Sequence, residues 1–182
     1  LCALPLRCGA KQAAWIQTGT IRFEHSFRDL CQSNHCGQYG RNWCCPPAVG
    51  TPEELERMVL GYRFLLLWSS VGQLTDPFDA EGMTFARRRH AALNDEILSH
   101  FDRLRPGAER ILMGAGACER CARCTIQEDA PCRYPNKKVL PLEACCIDVT
   151  ALARSGGMRY NHGENTVTYF GGILFDQSAT EQ

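Results

Sequence analysis

The first half of the chain alternates between short apolar runs and polar segments that carry helix signals. Apolar and polar positions alternate over residues 20–29, which predicts a short strand. Thr51 at the N-cap position, Pro52 at the first helical position and Glu54 at the third predict a helix. The apolar run over residues 63–70 then predicts a buried strand.

The middle of the chain predicts a strand–helix–strand unit. Residues 76–82 are predicted to be a loop, and an apolar stripe at helical spacing predicts a long helix over about residues 83–104. The segment RILM, residues 110–113, predicts a second strand. Because this strand follows the first strand and the helix, we expect a βαβ unit. The segment after RILM then lies at the carboxyl end of the second strand.

The C-terminal third predicts another helix and more strand. Residues 142–153 are predicted to be helical, and the last seven residues, 176–182, are predicted to be frayed. Two apolar segments flank Gly171-Gly172, which is consistent with a hairpin or with one bulged strand, and the hairpin is adopted. The predicted fold class is α+β and α/β-like. It has a βαβ core, two cysteine-rich metal-binding loops and a C-terminal β-hairpin, in one domain over residues 1–182.

Composition and charge narrow the range of partners. The 182 residues are 45% hydrophobic, enough for an ordinary core, and the formal net charge is zero. A neutral chain argues against a general nucleic-acid binder. The longest apolar run, FLLLW at residues 64–68, has the length of a strand, so no membrane-spanning segment is predicted.

Cysteine usage is the unusual feature of the composition. The chain has 12 cysteines, and they are grouped at residues 31–45, 118–132 and 145–146, with none between Cys45 and Cys118. Tight groups favour metal binding over long-range disulfides. Thiolate-rich metal sites need a reducing compartment, so we expect a cytoplasmic protein.

The strongest motif is CERCARCTIQEDAPC, which places cysteines 118, 121, 124 and 132 in a C-x2-C-x2-C-x7-C pattern. Bacterial ferredoxins hold a [4Fe–4S] cluster with three such cysteines and a further one. Zinc is the rival metal, but it usually takes two separate C-x2-C pairs. We therefore expect a ferredoxin-like cluster loop over residues 114–135. Cys132 is the near candidate for the fourth ligand, although an outlying cysteine can instead serve the other cluster of a two-cluster protein.

The motif CQSNHCGQYGRNWCCPP at residues 31–47 predicts a second site. Cys31, Cys36 and the proline-flanked Cys45 are the expected ligands. Cys44 should point away from Cys45 in an extended chain and is interpreted as a small buried hydrophobe. The candidates for the fourth ligand are Cys44, Cys145, Cys146, Cys8 and His35. Alternatively, the fourth iron has no protein ligand. Cys145, from the segment after the second motif, is included in the expected ligand set.

Four motifs in one order resemble a known family. The segments CGQYGRNWCCPP, GAGACERCARCTIQEDAPCRYP, LEACCIDV and NTVTYFGGILF are similar to those of the DUF2284 family of predicted metal-binding proteins. The resemblance covers roughly residues 21–175. It implies a cysteine-ligated metal centre in a small cytoplasmic protein of the kind found in anaerobes, and it carries over the three cysteines of the first motif and the four of the second. The chain carries Cys44 and Cys146 where the resemblance implies other residues.

Three functions follow from these motifs. The favoured one is a protein with two [4Fe–4S] clusters that transfers electrons to a redox partner protein. The second is an enzyme in which an open iron acts as a Lewis acid on a small molecule, for sulfur transfer or reductive chemistry. The third is a zinc-binding structural module or sensor that folds only with its metal.

Overall fold

A computed structural model describes residues 1–176, which form a mixed sheet with helices on both faces. The five strands are β1 (Gln12–Gln17), β2 (Phe64–Gln73), β3 (Arg110–Gly114), β4 (Val139–Pro141) and β5 (Thr166–Phe175). Their order in the sheet is β1-β2-β5-β3-β4, and only β3 and β4 are parallel neighbours. The α+β class is confirmed. The fraying predicted for the chain end falls, except for Asp176, outside the described residues.

Two separate cores cover the two faces of the sheet. The helices are α1 (Leu4–Arg7), α2 (Phe27–Gln32), α3 (Pro52–Leu60), α4 (Ala80–Leu104) and α5 (Val149–Ser155). Apolar side chains of α1 and α4 pack on one face with Leu66 and Trp68 of β2. Those of α3 and α5 pack on the other face with Leu65 and Leu67. Since β2 is buried on both faces, its run FLLLW is apolar throughout instead of alternating.

The predicted βαβ unit is present but contains an inserted strand. Helix α4 connects β2 to β3, and both strands pair antiparallel to β5, which lies between them. β2 and β3 are therefore parallel without being neighbours. β3 ends at Gly114, and the second cysteine motif follows at its carboxyl end, as predicted. Within residues 1–176, no helix is long and apolar enough to cross a bilayer.

Side-chain caps fix where α3 and α4 begin. The capping box at Thr51 and Glu54 is formed in both directions, and α3 begins at Pro52 as expected. Helix α4 begins at Ala80 because the Asp79 carboxylate accepts a hydrogen bond from the Gly82 amide at 2.8 Å, three residues before the predicted start.

The strand predicted over residues 20–29 is wrong. Only Phe23 makes a strand-like bridge there, to Ile147, and α2 begins at Phe27. Glu24 turns the chain at this point, since its carboxylate accepts hydrogen bonds from the hydroxyl of Ser26 at 2.7 Å and from its amide at 3.4 Å. Such local side-chain bonds compete with a sheet ladder.

The helix predicted over residues 142–153 is interrupted. A short 3₁₀ turn covers Glu143–Cys145, and Cys146 has a left-handed backbone with φ of 58°. Helix α5 starts only at Val149, where the Asp148 carboxylate accepts from the Ala151 amide at 2.9 Å. Asp148 therefore acts as an N-cap, a position that an aspartate favours over a helix interior.

The C-terminal hairpin is also wrong, because β5 is one continuous strand that pairs with β2 over its whole length. Its two glycines have a packing role instead of a turn role. A Cβ on Gly171 would lie 2.5 Å from Oδ1 of Asn94 and 2.8 Å from Nε1 of Trp68, which are hydrogen-bonded to each other at 2.7 Å. A Cβ on Gly172 would lie 2.7 Å from a methyl group of Leu65.

The Gly171→Ala substitution is expected to lower the free energy of unfolding by about 1–3 kcal/mol, because the added methyl group overpacks the Trp68–Asn94 pair. Urea denaturation followed by tryptophan fluorescence would measure the loss. Gly19→Ala is the matched control, since no heavy atom lies within 4 Å of its added Cβ. Equal stability of the two variants would contradict the packing role of Gly171.

Candidate metal centre

Two cysteine loops face each other across one cavity. The first loop, residues 31–47, connects α2 to the segment before α3, and the second loop, residues 114–135, follows β3. The cavity has a volume of about 1070 Å³. Cys36 of the first loop and Cys118, Cys121 and Cys124 of the second loop are among its lining residues.

Tight turns shape the first loop. Asn34 adopts a left-handed conformation, and its side-chain oxygen accepts a hydrogen bond from the Tyr39 amide at 3.0 Å. Gly37 and Gly40 both have φ of 70°, a region that glycine occupies without steric cost. The exposed His35 bonds to the Ser33 hydroxyl at 2.7 Å, a local interaction within the turn.

Cys45 lies between the cysteines of the two loops. Burial raises the pKa of its thiol to about 12, and the negative charges of neighbouring thiolates add to this shift. The neighbours that act on it are Cys36 and Cys31 of the first loop and Cys118 and Cys124 of the second. The two motifs therefore belong to one region of the molecule, although more than 70 residues separate them in the sequence.

The half-buried Arg28 lies beside one end of this thiol group. Burial raises the pKa of Cys31 and of Cys146, and the charge of Arg28 opposes the shift in both. The charge of Cys146 also acts on Cys31. Nε of Arg28 is buried and lacks a hydrogen-bond partner among the described residues. A guanidinium next to two thiols, with one buried donor left unused, fits a site that holds anionic sulfur.

Backbone amides and cations surround the thiols of the second loop. The Trp43 amide donates to Sγ of Cys124 at 3.4 Å. Cys118 accepts backbone hydrogen bonds from Val139 and Arg120. The guanidinium of Arg133 forms a hydrogen bond with Cys121. N–H donors at thiolate sulfur are the interactions that offset negative charge and tune the potential of an iron–sulfur cluster.

Cys44 makes a contact that the sequence did not predict. Its thiol is buried and hydrogen-bonds with Cys118 of the second loop. This bond lowers the pKa of Cys118 to about 6 and raises the pKa of Cys44. The expectation that Cys44 is only a small buried hydrophobe therefore leaves out its contact with a thiol of the other loop.

Cys132, Cys145 and Cys8 lie elsewhere. Cys132 lines a neighbouring cavity of about 350 Å³ together with Trp43 and Cys44. Cys145 is fully buried in the core beneath α3 and α5, and burial raises its pKa to about 12. Cys8, a candidate for the fourth position, lies against α4. Six of the eight expected ligands therefore come together: Cys31, Cys36, Cys45, Cys118, Cys121 and Cys124.

A few polar side chains, none of them predicted from the sequence, join the two loops. Nδ2 of the buried Asn42 donates to the Cys118 carbonyl at 2.8 Å, and its Oδ1 accepts from the Cys44 amide at 2.9 Å. Gln127 exchanges two hydrogen bonds with Arg41, one through the Arg41 carbonyl at 3.1 Å and one through its guanidinium at 3.3 Å. The sequence indicates only one of these hydrogen bonds: Asn42 stands two residues before Cys44, which is the spacing of an Asx turn.

The Trp43 indole also crosses from the first loop to the second. Its Nε1 donates to the Thr125 hydroxyl at 3.3 Å and to the Ala130 carbonyl at 3.2 Å. Thr125 in turn donates to the Pro131 carbonyl at 2.8 Å. The bend of the second loop between Cys124 and Cys132 is thus closed around an aromatic side chain of the first loop.

The sulfur atoms are spread out. Within residues 1–176, no three cysteine thiols lie within 4.8 Å of one another. In a tetrahedral zinc site with Zn–S bonds of about 2.3 Å, the sulfur atoms are about 3.8 Å apart. Thiolates that bind separate irons of one cluster lie farther apart than those that bind one ion.

A family model described as a predicted metal-binding protein, DUF2284, matches residues 14–175. The chain belongs to the DUF2284 family. No curated protein and no solved structure matches it. The DUF2284 match includes both loops and Cys146, and it leaves out α1 with Cys2 and Cys8.

Membership of DUF2284 and the thiol-rich cavity agree on the class of function. The family is described as metal-binding, and four of the residues that line the cavity are cysteines, whose donor atom is soft sulfur. Thiolates select zinc, copper(I) or iron–sulfur clusters over hard cations such as Mg²⁺ or Ca²⁺. The residues of this DUF2284 chain therefore fit a thiolate-bound metal cofactor.

Proposed function

We propose that this DUF2284 protein binds two [4Fe–4S] clusters, one for each cysteine loop, and that it transfers electrons to a redox partner protein. The observation that carries the proposal is the meeting of six thiols from two distant motifs in one region, where four of them line one cavity. The amide and guanidinium donors at their sulfurs give further support.

The ligands divide by loop. The first cluster is bound by Cys31, Cys36 and Cys45, and we assign its fourth position to Cys146, which interacts with Cys31 and Arg28. Cys145, the fourth ligand expected from the sequence, is the weaker candidate because it is enclosed by apolar side chains.

The second cluster is bound by Cys118, Cys121, Cys124 and Cys132. Cys132 lines the neighbouring cavity together with Trp43 and Cys44, and it is kept as the fourth ligand because it completes the motif of the second loop. In this assignment Cys44 donates its S–H to Cys118 and does not bind iron. A hydrogen bond to a ligand sulfur withdraws negative charge and raises the reduction potential of a cluster.

The spacing of the second motif favours a cluster over a single zinc ion. Three cysteines in a C-x2-C-x2-C pattern with a further cysteine are typical of [4Fe–4S] clusters. Zinc usually takes two separate C-x2-C pairs.

Electron transfer is supported by the arrangement of the loops. Cys45 interacts with thiols of both loops, so the two clusters lie next to each other. Cys36 is exposed, which brings the first cluster close to the surface where a partner can dock. Tyr39 and Arg41 border the same surface and are candidates for that docking contact.

Metal analysis after anaerobic purification tests the proposal. We expect about eight iron and eight sulfide per chain, and reversible one-electron reduction by dithionite in the EPR spectrum. About four irons would leave only one of the two sites intact. Zinc in the cysteine loops without iron would contradict the proposal.

An enzyme with an open cluster is the second candidate. The cavity beside the thiols is also lined by Arg41, Arg87 and Arg123, which suit a small anionic ligand. The same EPR samples separate the two functions. A spectrum that changes when a small anion is added favours the enzyme, and an unchanged spectrum favours electron transfer.

A further inference from the structure

Three potential metal ligands meet at a distance from the cysteine loops. Sγ of Cys8, a carboxylate oxygen of Glu96 and a ring nitrogen of His100 all lie within 4.8 Å of one another. Within residues 1–176, this is the one such group of three. We propose that Cys8, Glu96 and His100 form a mononuclear Zn²⁺ site that is separate from the cysteine loops.

The supporting elements hold the three side chains in place. Glu96 and His100 are four residues apart on the long helix α4, so they occupy the same face one turn apart. Cys8 follows directly after α1, and its amide donates to the Leu4 carbonyl at 3.2 Å. Leu4 packs in the core with Phe101 of α4, which fixes α1 against this helix.

The donor set matches zinc. Thiolate, imidazole and carboxylate are the three protein ligands of Zn²⁺, with bonds of about 2.0–2.3 Å that place ligand atoms about 3–4 Å apart. Side-chain rotation of Glu96, which is exposed, and of the half-buried His100 can close the remaining gap. The Glu96 carboxylate and the His100 ring are also available, because neither forms a hydrogen bond or an ion pair within residues 1–176.

Charge balance is consistent with a divalent cation. A Cys8 thiolate and the Glu96 carboxylate together carry two negative charges, which a bound Zn²⁺ neutralises. Burial and the charge of Glu96 raise the pKa of Cys8 in the absence of metal, and the charges of Arg7 and Arg103 oppose that shift. Their charges favour the thiolate and reduce the attraction for a cation, so we expect weaker binding than in a site with four thiolates.

Three protein ligands leave one tetrahedral position for water or a small ligand, as in catalytic zinc sites. Cys8 and Glu96 border a cavity of about 530 Å³ whose lining also includes Lys11 and Arg89. A ligand in that cavity can reach the fourth position. Cys8 lies outside the residues 14–175 that the DUF2284 family model matches.

Zinc binding to the purified, cluster-loaded protein tests the inference. After removal of loosely bound metal by dialysis, Zn²⁺ alone is titrated and bound zinc is measured by mass spectrometry. We expect one zinc per chain. Loss of a residue that only hydrogen-bonds to a metal ligand costs about 10–100-fold in metal affinity. Loss of a ligand itself, in Cys8→Ser or in His100→Ala, should therefore weaken zinc binding at least about tenfold.

A control variant and the iron content separate this site from the cysteine loops. Cys2→Ser changes an exposed cysteine of the same N-terminal segment and should leave zinc affinity unchanged. The iron content of the cluster-loaded protein should stay constant throughout the zinc titration. A ¹¹³Cd NMR signal typical of one thiolate ligand would support the site. Zinc affinity that is unaffected by Cys8→Ser, or a cadmium signal typical of four thiolates, would overturn it, whatever the iron content.

Discussion

The Cys45→Ser substitution is expected to lower the iron content from about eight to about four atoms per chain. Cys45 is a proposed ligand of the first cluster, and the charges of thiolates from both loops act on it. Serine offers a hard oxygen in place of a soft thiolate, and iron–sulfur clusters select thiolates. The first cluster should therefore be lost while the second remains.

Iron and sulfide assays, together with the EPR signal of the dithionite-reduced protein, measure the effect. Two overlapping reduced signals in the unchanged protein should become one in the variant. Interaction between neighbouring clusters broadens such signals, so the remaining signal should also be simpler. Iron content equal to that of the unchanged protein would show that Cys45 is not a ligand.

Cys145→Ala is the control for this experiment. Cys145 is a buried cysteine from the expected ligand set, but it packs among apolar side chains of α3, α5 and the sheet. Alanine preserves that apolar environment and leaves a small cavity. We expect full iron content in Cys145→Ala. A loss of iron like that in Cys45→Ser would instead identify Cys145 as the fourth ligand of the first cluster.

The parts of the fold that the sequence predicted correctly depend on local signals. The cap of α3, the stripe of α4 and the apolar runs of β2 and β3 are set by residues within a few positions of each element. β4 spans only three residues and carries too little pattern to be noticed. The insertion of β5 between β2 and β3 is decided by pairing over about 100 residues, which no local pattern reports.

The glycines of β5 show the limit of local reasoning most directly. Gly171-Gly172 has the composition of a hairpin turn, so the sequence favoured a turn. The structure uses the missing side chains to admit Trp68, Asn94 and Leu65. Both roles require glycine, and only the three-dimensional neighbours distinguish them.

The candidate site likewise has features that the sequence indicated and features that only the structure shows. The sequence motifs indicated eight thiols, and six of these come together in the region of the cavity, because a loop that binds a cluster spaces its cysteines regularly. The contact between Cys44 and Cys118 depends on how two distant loops pack. The place of Cys145 in the core and the hydrogen bonds made by Asn42 also depend on packing between distant parts of the chain. None of these three features could be predicted from the spacing of residues in the sequence.

The Asn42→Leu substitution is expected to lower the free energy of unfolding by about 2–4 kcal/mol and to weaken retention of the second cluster. Asn42 is buried, and its side chain satisfies the Cys118 carbonyl and the Cys44 amide at the same time. Leucine has a similar size but no polar atoms, so both backbone groups lose their partners. Each unsatisfied buried group costs about 1–3 kcal/mol.

Cluster retention distinguishes this joining role from a simple loss of stability. In Asn42→Leu the absorbance of the clusters in air should decay several times faster than in the unchanged protein, because the two loops are no longer tied at Cys118 and Cys44. Phe175→Leu provides the matched comparison, since Phe175 is a buried core residue that pairs with Arg110, at the end of β3 opposite the second loop. If both variants lose their clusters at the same rate, retention follows global stability, and Asn42 has no specific role in joining the loops. Faster loss in Asn42→Leu alone, at similar stability, would establish that role.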